Sequence, residues 1–177
     1  MTEAHKKWVS DKGDQTLRLN YPLTENSIVF DVGGYQGQWA REIYNKYKCY
    51  IYIFEPVTQY YQTIATLFKA NEKIKVFNLG LSNIDQEVDI SITKDSSSVF
   101  GSRGDKERIT LIDFKSFIEK EGINHIDLMK VNIEGGEYDF LEGIIENNNQ
   151  NKTNHYQIQF HDFIPNYKER YEFIKES

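Results

Sequence analysis

The sequence predicts an α/β protein built on a doubly wound, mainly parallel sheet. Three observations carry that expectation. Ile28-Val29-Phe30-Asp31-Val32-Gly33-Gly34 is an apolar run closing on an acid and glycines, as a buried parallel strand does where it turns into a helix. Ile51-Tyr52-Ile53-Phe54-Glu55 is a second apolar run, closing on a carboxylate. Such runs then alternate with helical spacings along most of the chain, which is the pattern of repeated strand-helix-strand units.

Taken in order, residues 1–26 carry little periodicity and make an N-terminal lead-in segment, with Tyr21-Pro22-Leu23-Thr24 leading into the fold. Residues 27–177 then make one domain, and a chain of 177 residues is long enough for a single α/β core. Strand one covers about 28–32, and Gly37 opens a helix running to about Tyr47. Strand two covers about 50–55. Pro56 starts the next helix, where its fixed φ suits a first turn, and Tyr60, Ile64, Leu67 and Phe68 keep helical spacing. Strand three runs from Ile74 to Leu79. Val88, Ile90 and Ile92 alternate with Glu87, Asp89 and Ser91, a strand with one wet face.

A polar loop over 94–106 reads either as decoration or as a substrate lid. Arg108 to Leu111 pairs with the alternating strand. Asp113 caps the helix that carries Phe114, Phe117 and Ile118, and Gly122 closes it. Ile126 to Ile133 is the fourth main strand, Glu134-Gly135-Gly136-Glu137 its turn, and Tyr138 to Glu146 the helix after it. The Asn-rich stretch 147–154 reads as a solvated loop, Tyr156 to His161 as the fifth strand, and Pro165 as the opening of a final helix. Right-handed crossovers bring Asp31, Glu55, Asn132 and His161 to one edge of such a sheet, where ligands of open α/β proteins bind.

Composition limits the classes of function. Hydrophobic residues at 39% and charged residues at 27% describe a soluble globular chain. A net charge of −6 argues against a general nucleic-acid surface. No apolar stretch approaches the roughly 20 residues that span a bilayer, so no membrane association is expected. The N-terminus lacks the apolar core of a signal peptide, and the lone Cys49 rules out an internal disulfide, so the cytoplasm is the expected location. Cys49 reads as a small side chain at the start of strand two. Tyr44, Tyr47, Tyr50, Tyr52, Tyr60 and Tyr61 read chiefly as packing, with hydroxyls at the core's rim. His5, His125 and His155 read as loop or surface positions. No ligand spacing is diagnostic of a metal, and none is expected.

The glycine spacing selects the nucleoside. A dinucleotide site wants G-x-G-x-x-G, whereas this chain has Asp31-x-Gly33-x-x-x-Gly37, with Tyr35 at the pattern's next position. That departs from a nicotinamide-dependent oxidoreductase and is similar to the first motif of S-adenosylmethionine-dependent methyltransferases. With both halves in view, the chain resembles the FkbM family of methyltransferases over about 28–163. Besides the glycine motif, the resemblance rests on Phe54-Glu55-Pro56, on Asn78-Leu79-Gly80-Leu81-Ser82 and on Thr110-Leu111-Ile112-Asp113-Phe114. It is closest in the block Lys130-Val131-Asn132-Ile133-Glu134-Gly135-Gly136-Glu137.

The resemblance implies a class I methyltransferase (Rossmann-like) fold over 27–177, S-adenosyl-L-methionine as methyl donor, and a small-molecule or glycan hydroxyl as acceptor. On it, Asp31, Gly33 and Gly37 line the methionine and ribose side of the cofactor, and Glu55 holds the ribose hydroxyls. Ser82 and the backbone of Leu79 to Leu81 flank the adenine. Asn132, Glu134 and His161 face the transferred methyl and the acceptor. A sugar hydroxyl is a poor nucleophile and benefits from a positioned base, for which Glu134 and His161 are the candidates. Glu134 reads equally well as a helix-capping carboxylate, and Asp162 is the carboxylate nearest in sequence to orient His161.

Two departures bear on this. Family members usually carry Asp where this chain has Asn132, and an amide cannot take a proton. A class I sheet also continues past its fifth strand with an antiparallel pair, whereas this sequence stops at Ser177, as a minimal version or a C-terminally truncated one. The fifth strand would then be an open edge, which favours a homodimer through it. Together the departures keep a second class in view, a non-catalytic cofactor-binding or assembly module derived from a methyltransferase.

Overall fold

Four of the five residues of the first strand, Ile28–Val32, are buried, because a strand lies on each side of it and helices cover both faces. The computed structural model describes residues 3–92, 97–98 and 105–177. Over these the chain runs α1 (Glu3–Ser10), α2 (Gly13–Thr16), β1 (Ile28–Val32), α3 (Gln38–Tyr47), β2 (Tyr50–Phe54), α4 (Thr58–Phe68), β3 (Ile74–Phe77), β4 (Gly80–Ser82) and β5 (Gln86–Ile92). It continues with β6 (Ser97–Ser98), β7 (Asp105–Asp113), α5 (Phe114–Lys120), β8 (Ile126–Val131), α6 (Glu137–Glu146), β9 (Thr153–Ile158) and α7 (Tyr167–Glu176).

The main sheet is parallel throughout, in the order β3-β2-β1-β8-β9. This is the doubly wound, Rossmann-like arrangement. Side chains alternate across it, so each face has its own core. Val29, Ile51, Ile53 and Leu128 pack against Trp39 and Ile43 of α3 and Ile64 and Phe68 of α4. Phe30, Val32, Phe54 and Met129 pack on the other side against Phe114 and Phe117 of α5 and Phe140 and Ile144 of α6. Among the described residues the main sheet holds no antiparallel strand, and β9 is its edge.

A second sheet, in the order β4-β7-β5-β6, stands beside the first. β7 pairs parallel with β4 and antiparallel with β5, Val88 opposite Ile109. Val57, Ile90 and Ile109 close a small core there, and the Thr58 amide at the start of α4 donates to Glu107 at 2.9 Å.

Several expectations need correction. The lead-in segment contains α1 and α2, helices too short to show periodicity. Tyr47 then ties the segment down, its hydroxyl donating to the Leu19 carbonyl and accepting from the Tyr21 amide. Pro56 precedes its helix by two residues, since α4 begins at Thr58 with Val57 as cap. Strand three ends at Phe77, and Gly80–Ser82 is a separate strand committed to the second sheet. Ser91, expected on the wet face, is buried. The 94–106 loop lies mostly outside the described residues, while Lys106 already belongs to β7. The Asn-rich stretch is not simply solvated, because Asn149 and Thr153 are buried and β9 starts at Thr153. His155 accordingly sits in β9 with its ring against Tyr21, and His161 lies three residues past the strand's end. The expected strand at Arg108 to Leu111, the Asp113 cap to Ser116 N at 2.7 Å and the Gly122 stop at φ +67° are all present. Cys49 is fully buried, and burial pushes its thiol up to about 11.

Candidate active site

The sheet's winding reverses between β1 and β8: from β1 the chain steps to β2 and β3 on one side, from β8 to β9 on the other. Loops leaving adjacent strands in opposite directions open a crevice at their carboxyl ends. A cleft of about 2280 Å³ occupies this position. Pockets for single small molecules run about 300–1,000 Å³, so there is space for a cofactor and a second molecule. Gly33 to Gln36, Glu55 to Val57, Gly80 to Ser82, Asn132 to Glu134 and Gln159 to Asp162 line it.

The glycine turn brings backbone into contact with backbone. Gly33 has φ +88°, and a Cβ there would stand 2.0 Å from the carbonyl oxygen of Asn132. Glycine is what lets the two strand ends meet, with the Asn132 amide donating to Val32 at 3.0 Å. Gly37 opens α3 as expected, but it does not stand on the cofactor side of the cleft. It is buried at the N-cap of α3 with φ +75°, packed toward Phe68 and Ile64, and does not reach the cleft wall. Tyr35 does reach it, with φ +50°, 44% exposure and its ring 4.7 Å edge-on from that of Tyr60.

Asp31 also departs from expectation. It has no exposed side-chain surface and lies behind the wall rather than on it. Its partner is Lys130, directly opposite in register on β8, whose Nζ donates to Asp31 Oδ1 at 2.9 Å and to the Gly33 carbonyl at 2.6 Å. Burial pushes the Asp31 carboxyl above the usual carboxylate range, and the Lys130 ammonium opposes the shift. It is Lys130, 12% exposed, that faces the cleft.

Glu55, one residue past β2, is 5% exposed and lines the cleft. Its Oε2 accepts from the Tyr35 amide at 2.7 Å and its Oε1 from the Val57 amide at 2.9 Å. These bonds fix the carboxylate in one orientation and leave a further lone pair on each oxygen. Burial pushes its pKa up to about 7, against the pull of the two amides. Ser82, 7% exposed, borders the same end of the cleft, its hydroxyl 3.2 Å from Asn83 Oδ1. Asn132 borders the middle, and its Oδ1 is buried with no hydrogen-bond partner among the described residues.

At the far end the structure brings Glu134 and His161 together, with Glu134 Oε2 3.6 Å from His161 Nε2. Glu134 holds a left-handed conformation, φ +51°, two residues before Gly136, the N-cap of α6. Such strain in a non-glycine residue persists only where its surroundings enforce it. The carboxylate on His161 is not Asp162 but Glu137, whose Oε1 lies 3.0 Å from Nδ1. That hydrogen bond is the main cause raising the His161 pKa, and burial opposes it.

Three wall features were not legible as site residues: Lys130, Tyr35 and the lead-in segment, which contributes Trp8, Asp14 and Arg18. The signal for Lys130 lay in the register that puts it opposite Asp31. No curated protein and no solved structure matches the chain. The profile of the methyltransferase FkbM domain matches residues 31–176, which take in every one of the candidate site residues. Over most of its length, then, this chain belongs to the FkbM methyltransferase family.

Proposed function

We propose that the protein is an S-adenosylmethionine-dependent O-methyltransferase acting on a hydroxyl of a sugar, polysaccharide or other natural product. One observation carries the proposal: a single cleft holds both a fixed carboxylate suited to a ribose, Glu55, and a histidine backed by a buried carboxylate, His161. The cofactor fits the residues present. Glu55 keeps lone pairs for two hydroxyls, and Gly33 gives close backbone approach. Ser82 with Leu79 to Leu81 offers a flank for the adenine.

S-adenosylmethionine, when bound, supplies an electrophilic methyl carbon whose bond to sulfur breaks with the pair going to sulfur. Glu55 orients the ribose and so fixes the reach of that carbon. Glu134, Asn132 and His161 orient the acceptor, and such alignment of reacting atoms is the larger part of an in-line displacement. His161 Nε2 takes the acceptor's proton as its oxygen bonds to carbon.

Incubation with S-adenosylmethionine and a panel of glycans and hydroxylated natural products, read by mass spectrometry, tests the proposal. Addition of one methyl group to an acceptor oxygen is the expected result. Cofactor binding with no product from any acceptor would favour the second reading, a non-catalytic cofactor-binding module, to which Asn132 lends its support because an amide takes no proton.

A further inference from the structure

Glu137 stands in the first turn of α6 with no exposed side-chain surface, yet two backbone N–H groups and a histidine ring nitrogen converge on it. Its Oε1 accepts from the His161 backbone amide at 2.8 Å and faces His161 Nδ1 at 3.0 Å. Its Oε2 accepts from the Gly135 amide at 2.8 Å. One carboxylate therefore joins the turn after β8 to the segment after β9, the two halves of the far end of the cleft. His161 is held from other sides as well: the Tyr138 hydroxyl donates to its carbonyl at 2.9 Å, and Gln159 Nε2 lies 3.4 Å from its Nε2.

An ionised carboxylate only accepts hydrogen bonds, so the ring nitrogen facing it carries the proton. In the neutral ring the other nitrogen is then an acceptor. We propose that Glu137 is the positioning residue of the acceptor end of the cleft: it holds His161 as the Nδ1–H tautomer, which leaves Nε2 unprotonated and able to take a proton, and through Gly135 it holds Glu134 beside that nitrogen.

This rests on the methyl-transfer reading of the same site. There the acceptor's O–H bond breaks as its O–C bond forms, and the C–S pair stays on sulfur. The proton on Nε2 makes an imidazolium between Glu137 and Glu134, and passes to water afterwards. Among the described residues, the charged groups that act on the ring are Glu137 from α6, Glu134 from the turn before it and Asp162 from its own segment. All three favour the protonated ring, and burial alone opposes them. The Phe163 ring lies 5.4 Å away.

Nitrogen-15 NMR of the histidine-labelled full chain, titrated with pH, is the test. Above its pKa the wild-type His161 is expected as the Nδ1–H tautomer. Glu137→Gln is expected to lower the His161 pKa, mix the tautomers and reduce the methyl-transfer kcat by roughly 10²-fold. Its affinity for S-adenosylhomocysteine should stay within about twofold, and Glu137→Asp should restore part of the pKa. Should Glu137→Gln not fold, the wild-type tautomer and the Glu137→Asp titration decide alone. An Nε2–H tautomer in the wild type overturns the proposal, as does a pKa unmoved in a folded Glu137 variant. A protein that fails to bind S-adenosylhomocysteine would defeat the methyl-transfer reading, while the spectra would still report whether Glu137 sets the ring.

Discussion

Lys130 donates to the fully buried Asp31 across the β1–β8 register pair at 2.9 Å, at the point where the two strands part to form the cleft. The pair works as a buried brace, and its worth lies in neither member being left alone. Lys130→Met is expected to cost about 3–5 kcal/mol in urea unfolding, as removal of one member of a buried pair does. Asp31→Asn added to it should recover most of that loss. The penalty of the single variant should also grow with pH. Without the ammonium the folded carboxyl holds its proton to higher pH than the unfolded one, so stability falls as pH rises. A loss below about 1 kcal/mol at pH 8 would show that the pair does not brace the sheet.

Glu55 makes a second pH-dependent element, of opposite consequence for folding and for binding. Its folded pKa of about 7 stands above the ordinary 4.5, so the stability it contributes is complete at acid pH and lost as pH rises through about 7. Ribose hydroxyls donate, and prefer the ionised form. Calorimetric affinity for S-adenosylhomocysteine should therefore tighten as pH rises through about 7 and then level off. Glu55→Gln should give a weaker affinity and a flat profile over the same range. A wild-type profile equally flat would remove Glu55 from the ribose contact.

Two glycines separate backbone strain from close approach. Gly122 has φ +67°, and a Cβ there would meet nothing within 4 Å, so Gly122→Ala should cost only about 1–2 kcal/mol in thermal unfolding. Gly33→Ala adds an overlap with the Asn132 carbonyl, and should cost about 3 kcal/mol or more while weakening cofactor affinity. Equal losses at the two sites would mean that the strand ends can separate freely.

The parts of the fold written in local pattern were legible. β1 and β2 are largely apolar runs because both faces are covered, with Asp31 the exception, and Asp113 and Gly122 bracket α5 by capping chemistry alone. The places of Glu55 and Gly33 on the cleft wall were legible for the same reason, since both stand where such runs end. What stayed hidden was set by contacts distant in sequence. Asp31 read as a cofactor-facing acid because its register with Lys130 joins residues 99 positions apart. Glu137 read only as the last residue of the turn after the fourth strand, since only the return of the chain past β9 brings His161 to it. Gly80–Ser82 is too short for any periodicity, and pairing with Ile112 and its neighbours makes it a strand.

Most depends on whether the cleft between β1 and β8 is a site for S-adenosylmethionine with Glu55 as its ribose anchor. Titration calorimetry with S-adenosylhomocysteine, on the wild type and on Glu55→Ala, answers that without intermediate steps. One site per chain is expected, with affinity at least about tenfold weaker in the variant, as loss of a charged hydrogen-bonding partner implies. No heat of binding to the wild type at millimolar ligand, or equal affinity in the two proteins, would contradict it.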